Sequence, residues 1–169
     1  MNITKEGFAV LSHTIDPVYD SNSKVLILGS FPSVKSREQQ FFYGHKQNRF
    51  WRVLAQVLGC AVPESIEQKR DMLLAHHVAV WDVIESCEIT GSSDASIRDV
   101  RPNDLSRILS HADIQTIYTN GSKAYELYQK HIFPVNGRKA YPLPSTSPAN
   151  AGYSLEKLVD VWNVIREAL

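Results

Sequence analysis

Cysteine is scarce in this 169-residue sequence: Cys60 and Cys87 are the only two. Their separation fits neither a metal knuckle nor a redox pair, so a disulfide framework and a zinc module are excluded and a reduced, cytoplasmic setting is expected. The sequence also lacks excess charge, with 18 Lys plus Arg against 18 Asp plus Glu. Nonspecific polyanion binders usually carry a basic surplus, so any nucleic-acid surface must come from local clustering. No apolar run reaches the length of a membrane span, and Met1 to Ala9 lacks the basic start and apolar stretch of an export signal. Repeats, low-complexity tracts and polar linkers are missing too. A single domain over 1–169 is expected, and a hydrophobic share of 43% is enough for one core.

What is present alternates. Residues 24–30, Lys-Val-Leu-Ile-Leu-Gly-Ser, form an apolar run closed by Gly29 and read as a strand buried on both faces. Helical spacing of Phe50, Trp51, Leu54, Val57 and Leu58 predicts a helix over 48–59 that stops at Gly59. A helix over 64–76, a strand over 78–84 and a polar loop over 86–96 follow. Arg101-Pro-Asn103 leads into a short helix ending at Leu109. A strand over 114–119 breaks at Asn120-Gly121, and Ser122 is expected to cap a helix through His131. A strand over 138–143 precedes a last helix capped by Ser154, with Leu155, Leu158, Val159, Trp162 and Ile165 as its apolar stripe. This order implies an α/β fold of three layers, α/β/α, around a four-stranded parallel sheet.

Parallel sheets of this kind bind ligands beyond the carboxyl ends of their strands. The connection from Phe31 to Gln47 is one such loop, and its length points to function. Residues 35–52 hold five Lys or Arg against one Glu, interleaved with aromatics. That mixture suits a phosphate backbone and an unstacked base; it also suits a solvated loop whose aromatics enter the core. The hydroxyls and backbone N–H groups of Ser145 to Asn150 could grip phosphates, or form an ordinary Ser/Pro turn. The histidines show no ligand spacing, so no metal is expected, and His45 alone stands near the candidate site. No cofactor is expected. A flavodoxin-like nucleotide binder is disfavoured because Gly29-Ser-Phe-Pro-Ser33 has one glycine and a proline, unlike a phosphate loop.

Gly29-Ser-Phe-Pro-Ser33 followed by His45-Lys-Gln-Asn-Arg-Phe-Trp51 resembles the first motif region of the uracil-DNA glycosylase superfamily. The likeness is closest to the mismatch-specific uracil/thymine branch, where a Gly-x-Asn-Pro-Gly turn precedes His-Pro-x-Asn-Arg-Phe-Trp. Leu143-Pro-Ser-Thr-Ser-Pro-Ala-Asn150 resembles the second motif, the loop that presses into the minor groove. With Trp81-Asp82-Val83 added, the hypoxanthine-DNA glycosylase branch is the most similar.

The resemblance implies a monofunctional DNA glycosylase of base excision repair, acting on a deaminated base and most simply on hypoxanthine. One departure matters. The catalytic Asn of the mismatch-specific turn is replaced by Phe31, which cannot orient water, so the catalytic role passes to Asn48. Its oxygen would hold the attacking water while its nitrogen donates to base or phosphate; N-capping is the competing structural role. Tyr43 corresponds to a base-stacking Phe, with Phe31 and Phe42 as further walls, and Asp82 stands where uracil-specific enzymes read the base edge with Asn. Contacts to DNA are implied for Ser33, Lys46, Arg49, Ser145, Ser147, Pro148 and Asn150. DNA containing deaminated bases is the expected partner, bound by a monomer. Rival readings are a uracil- or xanthine-preferring enzyme of the same fold and a noncatalytic module that binds damaged DNA.

Overall fold

A computed structural model of the chain describes the backbone of residues 2–3, 9–12, 15–89 and 97–169, with side chains for 15–88 and 97–169. In chain order come β1 (Asn2–Ile3), β2 (Ala9–Ser12), β3 (Val25–Gly29), α1 (Val34–Gln39), α2 (Phe50–Leu58) and α3 (Ile66–Ala75). They are followed by β4 (Val78–Asp82), β5 (Ile84–Ile89), β6 (Arg98–Pro102), α4 (Ser106–Leu109) and β7 (Thr116–Asn120). The chain continues with α5 (Ser122–His131), α6 (Phe133–Asn136), β8 (Ala140–Leu143), α7 (Leu155–Trp162) and α8 (Val164–Glu167).

The apolar run after Lys24 forms β3, every residue of which is buried, as is every residue of β4. Strands without a polar face need cover on both sides, which a parallel sheet between helices supplies. The sheet runs β4-β3-β7-β8 with all neighbours parallel. The α/β fold with a four-stranded parallel sheet is therefore as expected. From β3 the chain goes first to one side, β4, and later to the other, β7. That reversal opens a crevice at the carboxyl ends, where Gly29, Asp82 and Asn120 lie.

Helix α2 buries Phe50, Trp51, Val53, Leu54, Ala55 and Val57, and ends where Gly59 turns left-handed at φ 71°. Its Phe50 meets Trp162 of α7 edge to face, with ring centroids 5.9 Å apart. The Trp162 indole N–H donates to the Pro144 carbonyl at 2.9 Å, tying the last helix to the start of the second motif loop.

Several expectations need correction. The strand expected over 78–84 stops at Asp82, bends at Val83 and restarts as β5 in a different sheet. That second sheet is antiparallel, in the order β1-β2-β5-β6. The polar loop expected over 86–96 thus begins as strand, its residues 90–96 lying outside the described residues, and Arg98–Pro102 is also strand. No Gly or Pro marks the bend; hydrogen bonds hold it instead. Val83 N–H donates to Gly29 O at 2.8 Å, Ile84 N–H to Ser30 O at 3.1 Å, and the buried Asn103 amide to Asp82 O at 2.9 Å. Ser122 is the first residue of α5 and not its cap, which is Gly121. The long connection after β3 contains α1, and the last helix divides at Asn163.

Candidate active site

A cavity of about 560 Å³ opens at the carboxyl ends of β3, β4 and β7, walled by the connection after β3 and the loop after β8. Its volume lies in the range of sites that enclose a small ligand. Asp82 ends β4 there, 3% exposed, beside Gly29 in the β3 register. A Cβ on Gly29 would stand 2.3 Å from Asp82 Oδ1 and 3.0 Å from Tyr43 Oη. The bare α-carbon is therefore what lets the carboxylate and the phenol lodge side by side.

Tyr43 adopts φ 52°, an uncommon conformation for a non-glycine residue, and stacks on Phe50 with centroids 3.9 Å apart. Its hydroxyl is buried, and the Asn120 amide approaches without completing a hydrogen bond. Burial first, and the nearby Asp82 charge second, push the phenol well above its ordinary range, so it stays protonated. Phe42 is buried and packs edge-on against Phe41, while half-buried Phe31 lies under the Arg37 guanidinium at 5.4 Å. All three aromatics expected at a base pocket line this cavity.

Asn48 also lines it, just before α2. Its Oδ1 accepts from Phe50 N–H at 3.0 Å and from Thr146 Oγ1–H at 2.8 Å. The N-cap of α2 is Arg49, which makes no side-chain cap bond, and not Asn48 as expected; Asn48 stands one residue earlier and its i to i+2 bond satisfies a free donor at the helix start. These two donors engage both lone pairs of the oxygen that was expected to hold water, and the amide nitrogen is the end they leave. Thr146, fully buried, also accepts from Asn120 Nδ2 at 2.9 Å and donates its N–H to Asn120 Oδ1 at 3.0 Å. Thr146 lies in the Ser145 to Asn150 run and Asn120 in the break at the end of β7, both visible in the sequence, but nothing there assigns either a site role of its own.

Ser33, Ser145, Ser147 and Pro148 reach the cavity wall. Ser33 caps α1, accepting from Ser36 N–H at 3.2 Å, and Ser145 and Ser147 accept from backbone N–H groups two residues onward. Lys46, Arg49 and Asn150 do not line the cavity. Lys46 is exposed. Arg49 turns inward: its guanidinium donates to the carbonyls of Ser147 at 2.9 Å, Asn150 at 3.1 Å and Tyr153. That clamps the second motif loop onto α2, so the guanidinium expected on phosphate serves the loop's shape. Asn150 donates its amide to Ser145 O at 3.0 Å, closing the same loop.

Arg37 was overlooked in the sequence. It lines the cavity, and among the described residues no carboxylate pairs with its guanidinium. Partial burial lowers its pKa, opposed by the nearby Cys87. Among the described residues no cluster of three or more His, Cys, Asp or Glu could hold a metal ion, and no helix is long and apolar enough to cross a membrane.

An aromatic- and amide-lined cavity at the switch point of a 2-1-3-4 parallel sheet defines the class as an α/β protein with its site at the carboxyl ends of the strands. Residues 17–167 match the family described as the uracil DNA glycosylase superfamily. A protein of Methanosarcina acetivorans named "Hypoxanthine DNA glycosylase" is 34% identical over 139 residues, covering 81% of this chain and 87% of the relative. One of the same name from Methanosarcina barkeri is 32% identical over 148 residues, covering 86% and 88%. The solution NMR structure of a candidate uracil DNA glycosylase from Methanosarcina acetivorans superposes with a TM-score of 0.77 at 30% identity, covering 94% of this chain and 99% of that one. The chain belongs to the uracil DNA glycosylase superfamily.

Proposed function

We propose that the protein is a monofunctional DNA glycosylase of base excision repair that removes hypoxanthine and leaves an abasic site. The observation that carries this reading is the buried Asp82 carboxylate lodged against Gly29 in the cavity wall. A carboxylate accepts hydrogen bonds, and hypoxanthine presents N1–H where adenine presents a lone pair. The names of the two Methanosarcina relatives support the same base.

The target nucleotide must leave the stack before its glycosidic bond can be reached. Tyr43, braced on Phe50, supplies a flat ring for the extruded base, with Phe31 and Phe42 beside it. The Ser145–Pro148 wall and Arg37 offer donors to flanking phosphates. The C1′–N9 bond then breaks with its electron pair going to the base, which takes a proton from solvent. Water adds to C1′ and releases a proton. Positive charge on the sugar and negative charge on the base are what the site must accommodate.

The test is base release from duplexes each carrying one hypoxanthine, xanthine or uracil. Hypoxanthine should leave fastest, and borohydride should trap no enzyme–DNA adduct. Faster uracil release reassigns the base, because the same acceptor suits uracil N3–H. Tight binding without any release identifies a noncatalytic module.

A further inference from the structure

We propose that Asn48 acts as a hydrogen-bond donor through its amide N–H groups, locked in that orientation by Thr146 and Asn120. This rests on reading the cavity as a glycosylase site. Two backbone N–H groups anchor the assignment. Thr146 N–H must meet an oxygen, which makes the Asn120 atom 3.0 Å away Oδ1 and leaves its nitrogen against Thr146 Oγ1. An amide nitrogen only donates, so the threonine hydroxyl's own hydrogen points elsewhere, to Asn48 at 2.8 Å. Phe50 N–H meets the same Asn48 oxygen from the helix side. Flipping either amide would set donor against donor in a place where Thr146 is fully buried and water cannot intervene.

The end of Asn48 left for the cavity is the N–H pair. A donor there stabilises the electron pair that N9 withdraws from C1′, delivered through an acceptor such as N3 or N7 of the leaving purine. The oxocarbenium sugar is electrophilic enough that its water needs no acceptor from Asn48. Thr146 is a positioning residue: it touches Asn48 and reaches the reaction only through it.

Single-turnover release is measured on whichever base the wild type removes fastest, so a wrong base assignment shows in the wild type alone. Thr146→Val should slow release by roughly 10- to 100-fold with duplex affinity within about twofold of wild type, and Thr146→Ser should restore most of the rate. Equal loss of affinity and rate, or no rescue by serine, overturns the positioning role. Asn48→Asp and Asn48→Ala then decide donor against acceptor. At neutral pH aspartate shows the cavity an acceptor, so its rate should be no higher than alanine's. On acidification the protonated acid becomes a donor, and the Asp-to-Ala rate ratio should climb. His45 and Tyr43 of the same connection, Arg37 of α1, Arg49 at the start of α2 and Asp82 of β4 are the charged or titratable groups around this position. They are shared by both variants and cancel in the ratio. A ratio highest at neutral pH and falling with acid shows Asn48 to be an acceptor, and it does so even if Thr146→Val fails to fold.

Discussion

Replacing Gly29 by alanine places a methyl group 2.3 Å from Asp82 Oδ1, about 1 Å inside normal contact, and 3.0 Å from Tyr43 Oη. The backbone there is ordinary strand, paired to β4 and β7, so no torsional penalty arises. Alanine would even stabilise by about 0.4–1 kcal/mol through the unfolded chain. Against that stands the clash. Asp82 is 3% exposed, its backbone carbonyl held by Asn103, and its carboxylate can escape only by leaving its rotamer. Overpacking of this kind costs about 1–3 kcal/mol, so the net loss is roughly 0–2.6 kcal/mol, a fall in Tm of up to about 10 °C for a chain of this length. Function should suffer more than stability, because the group that moves is the one that faces the base. Base release by Gly29→Ala should drop at least about 10-fold at a temperature where circular dichroism shows it folded, the cost of one lost hydrogen-bonding contact to a charged acceptor. Unchanged release together with an unchanged Tm would refute the placement of Asp82 against Gly29 and its reading of the base.

Asp82→Asn should change base preference more than maximal rate, since an amide can turn either a donor or an acceptor to the base; a uniform loss across the duplex panel would deny it that role. Arg37→Ala should weaken binding to all duplexes alike and reduce the slope of log affinity against log salt by about 1, as expected of a single phosphate contact. An unaltered slope in a filter-binding or anisotropy titration removes Arg37 from the DNA interface. Tyr43 has a folded-state pKa above its unfolded value near 10, so the unfolded chain loses this proton first and stability should fall as pH rises beyond about 10. Tyr43→Phe should flatten that alkaline decline. Because it deletes a buried hydroxyl without a hydrogen-bond partner, it should leave neutral-pH stability unchanged or slightly raised; a loss above about 1 kcal/mol in urea unfolding would show a partner the hydroxyl does have.

Much of the site could be read in order along the chain because its residues cluster in two short motifs. The spacing from Gly29 to Trp51 and the Leu143–Asn150 run pick out Asn48, Tyr43, Phe31, Ser145 and Pro148, which do share one cavity. Arg49 misled for a physical reason: an arginine beside a phosphate-binding candidate and an arginine clamping three carbonyls have the same local sequence. Its partners lie about a hundred positions away. The second sheet was hidden because residues 78–84 are apolar except for Asp82 and contain no Gly or Pro, and only the hydrogen bonds of Asn103, Gly29 and Ser30 break the strand at Val83.

By itself the sequence determined the alternation of apolar runs and amphipathic helices, hence a parallel sheet, and the residue types available at its carboxyl end. These are local properties, carried by periodicity and by side chains within a few positions of one another. Tertiary structure decided which atom of each side chain is left for a ligand. That Asn48 offers nitrogen and not oxygen depends on Thr146 and Asn120, 98 and 72 positions further on, meeting it across the ends of separate elements. Hydrogen-bond direction is a property of that meeting, because an amide is donor and acceptor at once until its partners choose between its ends.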